Sequence, residues 1–524
     1  MKCTLCKKSF EVSKEEAAFC GKMKVPTPAQ CPTCCQRQLF ALRNEQSLYQ
    51  RPCDCCKKPM IAMFPEESPY TVYCSDCWWN DQFEARDYGQ EFDFSRPFFD
   101  QLNELMRRAP IANLAIGDSE NSDFTNYAMW NKNCYLISSS DYNQDCYYST
   151  YIFRCADCAD CLFTDDSELC YESIDSKNCY GSAFLQDCST CTESFFCFNC
   201  RGAQNLLGCV NVKNQNYQIF NKKVTKEEFE KVKNDVLTSP ESVLEFRKKF
   251  YEFKRKFLHR GVQTEHSVDC VGDRLTRCKG CVNSFDLVES QDCLNCSLGF
   301  KARDCMNSVG LPDAELCYGC IGVPGDYNLR FCVLVWPKSS FLDYSLFCRA
   351  SSNCFGCVGL HKNEYCILNK QYTREEYEKI VPRIIEHMKE TQEWGQFLPP
   401  QVVPFAYNET LAQDYFPLNR EQAEELGYRW QEESAITAVE GALSCRHCES
   451  SYQITEQEKR LYGKLGLPKP DSCPKCRHKI RIRLRNPRNL WERKCSKCSE
   501  DLQTSFSPQK TEPICCERCY LSVV

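Results

Sequence analysis

Eight CxxC pairs stand at the two ends of a 524-residue chain that carries 45 cysteines. The N-terminal four are Cys3/Cys6, Cys31/Cys34, Cys53/Cys56 and Cys74/Cys77; the C-terminal four are Cys445/Cys448, Cys473/Cys476, Cys495/Cys498 and Cys516/Cys519. A CxxC turn lets two thiolates converge on one ion, and two such turns complete a tetrahedral set of soft sulfur ligands, which suits zinc. Four sulfurs leave no position for water, so such a site is structural rather than catalytic. Eight pairs predict two sites per end and about four zinc ions per chain. Spacing allows sequential pairing, first turn with second and third with fourth. It also allows a cross-braced pairing of first with third and second with fourth. Disulfides or idle thiols are the competing chemistry.

The two ends are copies of one module. Each C-terminal cysteine of these pairs lies 442 residues beyond its N-terminal counterpart (445 − 3 through 519 − 77). Gly21/Gly463, Pro26/Pro468, Pro28/Pro470, Pro32/Pro474 and Arg43-Asn44/Arg485-Asn486 keep the same offset, which is the mark of duplication. Modules of this size bury too little apolar surface to fold unaided, so metal must supply folding free energy. Residues 1–45 and 443–487 read CTLC…EEAAFCGKMKVPTPAQCPTC and CRHC…EQEKRLYGKLGLPKPDSCPKCRHK. They resemble the treble-clef zinc-binding domain of many uncharacterised bacterial proteins: a CxxC, a Gly-Pro-rich loop, then C-P-x-C running into a basic helix. Through residues 73–99, 354–388 and 404–418 the whole chain is similar to Cys-rich, zinc-ribbon-type proteins of uncultured bacterial lineages. That resemblance implies architecture, not an activity.

The elements between the modules follow a second rule. Twelve cysteines, at 134, 146, 155, 158, 161, 170, 179, 188, 191, 197, 200 and 209, all leave one remainder on division by three, and a 12-residue step recurs among them. Cys281, Cys293, Cys305 and Cys317 repeat that step, with Cys278, Cys296 and Cys320 as partners, and the phase breaks before Cys348, Cys354, Cys357 and Cys366. Asp or Asn often precedes the cysteine (Asn133, Asp145, Asp157, Asp160, Asn178, Asp187, Asp292, Asn295, Asp304, Asn353), as corner-forming residues do. A short fixed period predicts a β-solenoid of small coils. So narrow an interior favours a packed ladder of buried thiols; further metal sites and disulfides use the same residues. The run Cys155, Cys158, Cys161 resembles the start of a ferredoxin motif, but the next cysteine, Cys170, precedes Tyr171 rather than Pro.

Residues 208–232 align without gaps to 356–380 at an offset of 148, so the solenoid too is duplicated. Each copy leads into a helix with a capping box, Thr225/Glu228 and Thr373/Glu376, and one apolar face, predicted to cover a solenoid end. A second helix over 240–258 carries Val243, Phe246, Phe250, Phe253 and Phe257 in a stripe beneath a charged face, which reads as core packing or a partner-binding surface. The expected fold is mixed and β-dominated: a tandem four-cysteine module (1–80), a helical connector (81–133), solenoid half 1 (134–221), a helical insertion (222–262), solenoid half 2 (263–369), a helical and Pro-rich connector (370–440), and the second module (441–524).

Composition narrows the function. The opening MKCTLCKKSF predicts no secretory leader, and no apolar run approaches the roughly 18 residues of a membrane span. Reduced, metal-holding cysteines in the cytoplasm are the expectation. A net charge of −6 excludes a uniformly basic coat for nucleic acid. From 475 to 494, however, nine Lys/Arg face one acid, and the sister stretch 33–52 lacks that basicity. Lys475, Arg477, Lys479, Arg481, Arg483, Arg485 and Arg488 are therefore the candidate nucleic-acid contacts; a solvated helix, or one docked on this acidic protein itself, is the plainer reading. No phosphate-cradling Gly loop or GxSxG elbow is present, and the six histidines (His259, His266, His361, His387, His447, His478) are scattered. His447 and His478 stand by the knuckles as candidate outer-shell donors. The function expected is a zinc-binding scaffold with a protein partner, no catalytic residue and no membrane. A redox or metal-handling protein using the central cysteines is the alternative.

Overall fold

In the centre of the chain one residue in three turns inward, not one in two. From Cys134 to Val212 every third residue is buried, whether Cys, Ser, Thr, Asn, Ala, Ile, Leu or Val. The residue before most of these inward positions has a positive φ, so a 12-residue rung is built of four three-residue sides. The ten Asp and Asn residues named above all sit at φ of 48–54°, as do Asn199 and Asp269 before Cys200 and Cys270. A left-handed corner costs a non-glycine residue about 1–2 kcal/mol, and Asp and Asn tolerate it best. Aromatic residues occupy other corners and stack on the next rung: Trp130 on Tyr142 at 4.7 Å, Tyr151 on Phe163 at 4.5 Å, Phe184 on Phe196 at 4.3 Å.

The computed structural model describes residues 1–80, 83–432 and 441–523. Residues 81–82, 433–440 and 524, which fall in the two expected connectors and at the C-terminus, lie outside the described residues. The fold is mixed α/β and rich in strands, with twelve α-helices among the described residues. It divides into two compact units, each discontinuous in sequence. Unit 1 is Met1–Leu114, Val262–Glu432 and Pro487–Leu490; unit 2 is Ala115–Gly261, Glu433–Asn486 and Trp491–Val524.

In unit 2 parallel strands pair residues 12 apart, as in Cys158↔Cys170, Leu162↔Ile174 and Ala183↔Phe195. The pairing starts upstream of the first cysteine, at Ile116↔Ala128, where Ser122, Thr125 and Asn131 are the buried residues. In unit 1 the same ladder joins Phe285↔Ser297, Ser297↔Val309 and Cys354↔Cys366. The phase break has a local cause. One rung holds 13 residues (Tyr327↔Ser340, Leu329↔Leu342), because Trp336-Pro337-Lys338 adds a residue and Ser339 becomes the buried one. At the array's start Val271↔Val282 is 11 apart, and the register shifts at Gly272, where a Cβ would meet the Ser284 carbonyl oxygen at 2.0 Å.

Each array ends in the same way. Asn221 accepts from the Val210 amide and donates to its carbonyl, both at 2.9 Å, and Asn369 does this to Val358 at 2.8 Å. The side-chain amide stands in for a further strand. The chain then reverses in a short antiparallel pair and enters the helix Lys226–Leu237 or Arg374–Glu390, each with the expected capping box. The next helix of unit 2, Pro240–Lys254, ends before the expected Leu258, and its Phe246 and Phe250 pack on Phe196. That apolar stripe is core.

Candidate metal centres

The sulfurs of Cys3, Cys6, Cys31 and Cys34 lie within 4.8 Å of one another, as do those of Cys53, Cys56, Cys74 and Cys77, of Cys445, Cys448, Cys473 and Cys476, and of Cys495, Cys498, Cys516 and Cys519. The grouping is sequential, not cross-braced. In every group the second and third ligands are in contact: Cys6–Cys31, Cys448–Cys473 and Cys498–Cys516 at 3.7 Å, Cys56–Cys74 at 3.8 Å. A tetrahedral ion with bonds of about 2.3 Å to sulfur requires sulfur–sulfur edges of about 3.8 Å. The residues present therefore fit a closed four-sulfur metal site, four times over.

Identical backbone turns place these thiols. The residue after the first CxxC is left-handed in each (Lys7, Lys57, Glu449 and Ser499, φ 60–63°). Its amide donates to the carbonyl of the first cysteine at 2.9–3.1 Å, closing the knuckle. The second CxxC opens a helix: Cys31, Cys74, Cys473 and Cys516 are the N-caps of Pro32–Ala41, Ser75–Trp78, Pro474–Leu484 and Glu517–Leu521. The amide of that third ligand also donates to the first sulfur: Cys31 to Cys3 at 3.4 Å, Cys74 to Cys53 at 3.3 Å, Cys473 to Cys445 at 3.2 Å, Cys516 to Cys495 at 3.4 Å. Burial acts to raise the first thiol, and these backbone donors outweigh it. Cys53 comes down to about 7, Cys445 to about 6 and Cys495 to about 5.

Many array cysteines are chemically opposite, although hydrogen bonds from neighbouring thiols bring Cys146 down to about 5 against its burial and Cys191 down to about 4. Cys200 faces the Phe198 and Cys209 carbonyls at 3.5 and 3.6 Å, Cys209 those of Leu207 and Gln218 at 3.6 and 3.5 Å, and Cys357 those of Phe355 and Cys366 at 3.5 and 3.4 Å. A thiolate between two carbonyl oxygens would be repelled, whereas an S–H donates to them. Burial pushes Cys209 up to about 11, Cys197 to about 12, and Cys200 and Cys305 well above the ordinary thiol value. Serine is the exchangeable residue: Ser149 donates to the Tyr147 carbonyl at 2.9 Å and accepts from the Cys161 amide at 3.0 Å. Interior amides explain the mixture, since each needs an acceptor one rung back, as Cys155 finds in Asn143 (2.9 Å), Cys296 in Ser284 (3.1 Å) and Cys332 in the Cys320 sulfur (3.4 Å). Among the described residues no group of three ligands forms outside the sixteen knuckle cysteines, and Cys155, Cys158 and Cys161 make none.

The basic C-terminal helix requires a correction. Arg477 and Arg481 are 3% and 1% exposed, and both pair with the buried Asp160, at 2.8 and 2.5 Å. Arg485 pairs with Asp175 at 3.0 Å and lies 3.9 Å from the Phe163 ring. In unit 1, Arg488 pairs with Asp286 at 2.8 Å and covers Tyr415. These four guanidiniums are sequestered by carboxylates and rings, so they offer no face to a phosphate. Lys475, Lys479 and Arg483 are exposed. The docked reading of the helix is the one that holds, and Asp160, which the sequence marked only as a corner, is its central partner. His447 is exposed and His478 buried. His361 is half-buried against Trp78 and Trp79, and the loss of solvent takes it down to about 4.

No family model matches the chain, and a search of curated proteins finds no match. No helix among the described residues is long and apolar enough to cross a membrane.

Proposed function

We propose that this protein is a zinc-stabilised cytoplasmic scaffold: two treble-clef, zinc-ribbon-type modules, each docked on one half of a duplicated short-coil β-solenoid. The observation that carries this reading is the four closed sulfur cages with one shared knuckle geometry. Sulfur-only sets favour zinc over harder ions and leave no position at which substrate would bind. The 12-residue parallel ladders, capped by Asn221 and Asn369, support the solenoid, and solenoids offer long regular faces to a protein partner. The resemblance to Cys-rich, zinc-ribbon-type bacterial proteins belongs to the same proposal.

Metal analysis of anaerobically purified protein is the test. Four zinc per chain, with all 45 thiols titratable after unfolding and chelation, is the expected result. Iron, or clearly more than four ions, would instead support the redox or metal-handling reading, against which the carbonyl-facing interior thiols weigh. Nucleic-acid binding now rests on Lys475, Lys479 and Arg483. Three contacts correspond to a slope of about −3 in log affinity against log salt, and reversing all three charges should abolish any retention.

A further inference from the structure

Five inward cysteines of unit 1 stand in file on one side of its array: Cys270, Cys281, Cys293, Cys305 and Cys317. The residues that follow them pair rung to rung, Val271↔Val282, Val282↔Leu294, Leu294↔Met306 and Met306↔Tyr318. The sulfurs keep step with the backbone. Cys281 faces the Lys279 and Ser290 carbonyls at 3.6 and 3.5 Å, Cys293 those of Gln291 and Ala302 at 3.4 and 3.6 Å, and Cys305 those of Arg303 and Ala314 at 3.1 and 3.7 Å. Equivalent contacts on successive rungs set successive sulfurs one strand spacing apart, about 4.8 Å. The file ends where Leu329 pairs with Cys317.

Its near end is open. The strand before it, Thr264–Glu265, covers only Leu275 and Thr276, so among the described residues no rung precedes Cys270. Cys270 is half-buried between the exposed Val268 and Val271, and its sulfur accepts from the Cys281 amide at 3.4 Å. In unit 2 the matching file, Cys134, Cys146, Cys158 and Cys170, lies 147 residues earlier (281 − 134 through 317 − 170). There the buried Ser122 takes the part of Cys270, accepting from the Cys134 amide at 3.0 Å. That file is closed.

We propose that Cys270 and Cys281 form a two-coordinate site for a soft monovalent cation of the copper(I) class, with Cys293 and Cys305 as the next pair inward. Two metal–sulfur bonds of about 2.3 Å laid end to end span about 4.6 Å, close to one rung. Thiolates select a soft ion, and a linear one needs only two of them. Zinc needs four converging ligands, and among the described residues no three converge inside the arrays, so the file refuses the ion that suits the cages. Binding breaks two S–H bonds and forms two sulfur–metal bonds. Both protons leave to solvent, and one negative charge stays on the pair. The Cys281 amide and the solvent beside Cys270 are placed to hold that charge. This inference goes beyond the scaffold reading and does not require zinc in the cages.

The test titrates the full chain, purified anaerobically, with copper(I) against a colorimetric copper(I) chelator, and reads the first equivalent by X-ray absorption. The first ion should have two sulfur neighbours and should release no zinc. Cys270→Ser and Cys281→Ser should each weaken it at least tenfold, whereas Cys134→Ser in the closed file should leave it unchanged. Serine at 270 keeps an acceptor for the Cys281 amide, as Ser267 is for Cys278 at 3.0 Å, so the loss reports the sulfur rather than the fold. Unchanged affinity in Cys270→Ser, or a first ion that displaces zinc into a four-sulfur cage, would overturn the proposal. A chain that carries no zinc as purified would overturn the zinc reading alone, and the comparison of Cys270→Ser and Cys281→Ser with the parent chain would still decide the file.

Discussion

Units 1 and 2 dock the same module on the same kind of array in the same register, with opposite chemistry in the seam. In unit 1, Lys22 pairs with Asp304 at 3.2 Å and Glu16 accepts from Asn295 at 2.6 Å. In unit 2, Lys464 pairs with Asp157 at 2.9 Å and Glu458 accepts from the Tyr148 hydroxyl at 3.2 Å. Both contacts are related by 442 residues along the modules (464 − 22, 458 − 16) and 147 along the arrays (304 − 157, 295 − 148). Beneath that shared rim the two copies part. Unit 1 buries Cys35, Leu39 and Asn307, whereas at the matching positions unit 2 buries Arg477 and Arg481 paired with Asp160. Geometry and register are thus common property of the fold, and the seam's charge is a feature of one copy. Buried ion pairs add little net stability over apolar packing, but they penalise a mismatched partner heavily. The seam of unit 2 therefore discriminates: an array without Asp160 would leave Arg481 buried without its carboxylate and Arg477 with Glu458 alone, at 3.5 Å.

Removing metal should erase the comparison altogether. Apparent metal-binding free energies of roughly 10 kcal/mol or more underwrite small four-sulfur modules, so a strong chelator should unfold both modules alike. Hydrogen exchange would then show lost protection over 1–80 and 441–523, and retained protection in the arrays. Breaking the seam comes next. Asp160→Asn should destabilise unit 2 by about 3–5 kcal/mol, because Arg481 loses its counter-charge in a buried site and Arg477 keeps only Glu458. Adding Arg477→Cys and Arg481→Leu, which rebuilds the unit 1 chemistry, should recover most of that loss in denaturant unfolding. If Asp160→Asn alone is silent, the discriminating role is wrong.

A third difference lies inside the arrays. Asp326 of unit 1 is buried among the inward residues, where burial raises its carboxyl to about 8, and the matching position 147 residues earlier is Cys179. An acid with a raised folded value gives up its proton more readily when unfolded, so stability falls as pH rises from about 4 to about 8 and levels off above that. Asp326→Asn should remove this slope, with a gain on the order of a few kcal/mol at pH 8 and almost none at pH 4. Melting temperatures across that range measure it. The smallest effect is expected for Cys158→Ser, within about 1 kcal/mol, since serine already makes the same contacts on neighbouring rungs. Cys158→Leu should cost about 1–3 kcal/mol by overpacking the same 0%-exposed position.

Much of this was legible in the residues themselves. The four cages follow from CxxC spacing, because a knuckle is a local turn and its ligands are fixed within a few residues of one another. The 12-residue step and the Asp and Asn corners follow from the demand for a left-handed residue every third position, which is also local. Duplication was visible as constant offsets. Tertiary structure alone decided which knuckle meets which, since a sulfur set is closed by chain segments 18–25 residues apart whose path spacing leaves open. It alone placed Ser339, rather than residue 338, inside the irregular rung. It alone decided the fate of the basic helix. A run of Lys and Arg looks the same in sequence whether it faces water or carboxylates, and Asp160 lies 317 residues before Arg477 (477 − 160). Charge pairing over such a distance is set by docking, which local chemistry does not encode.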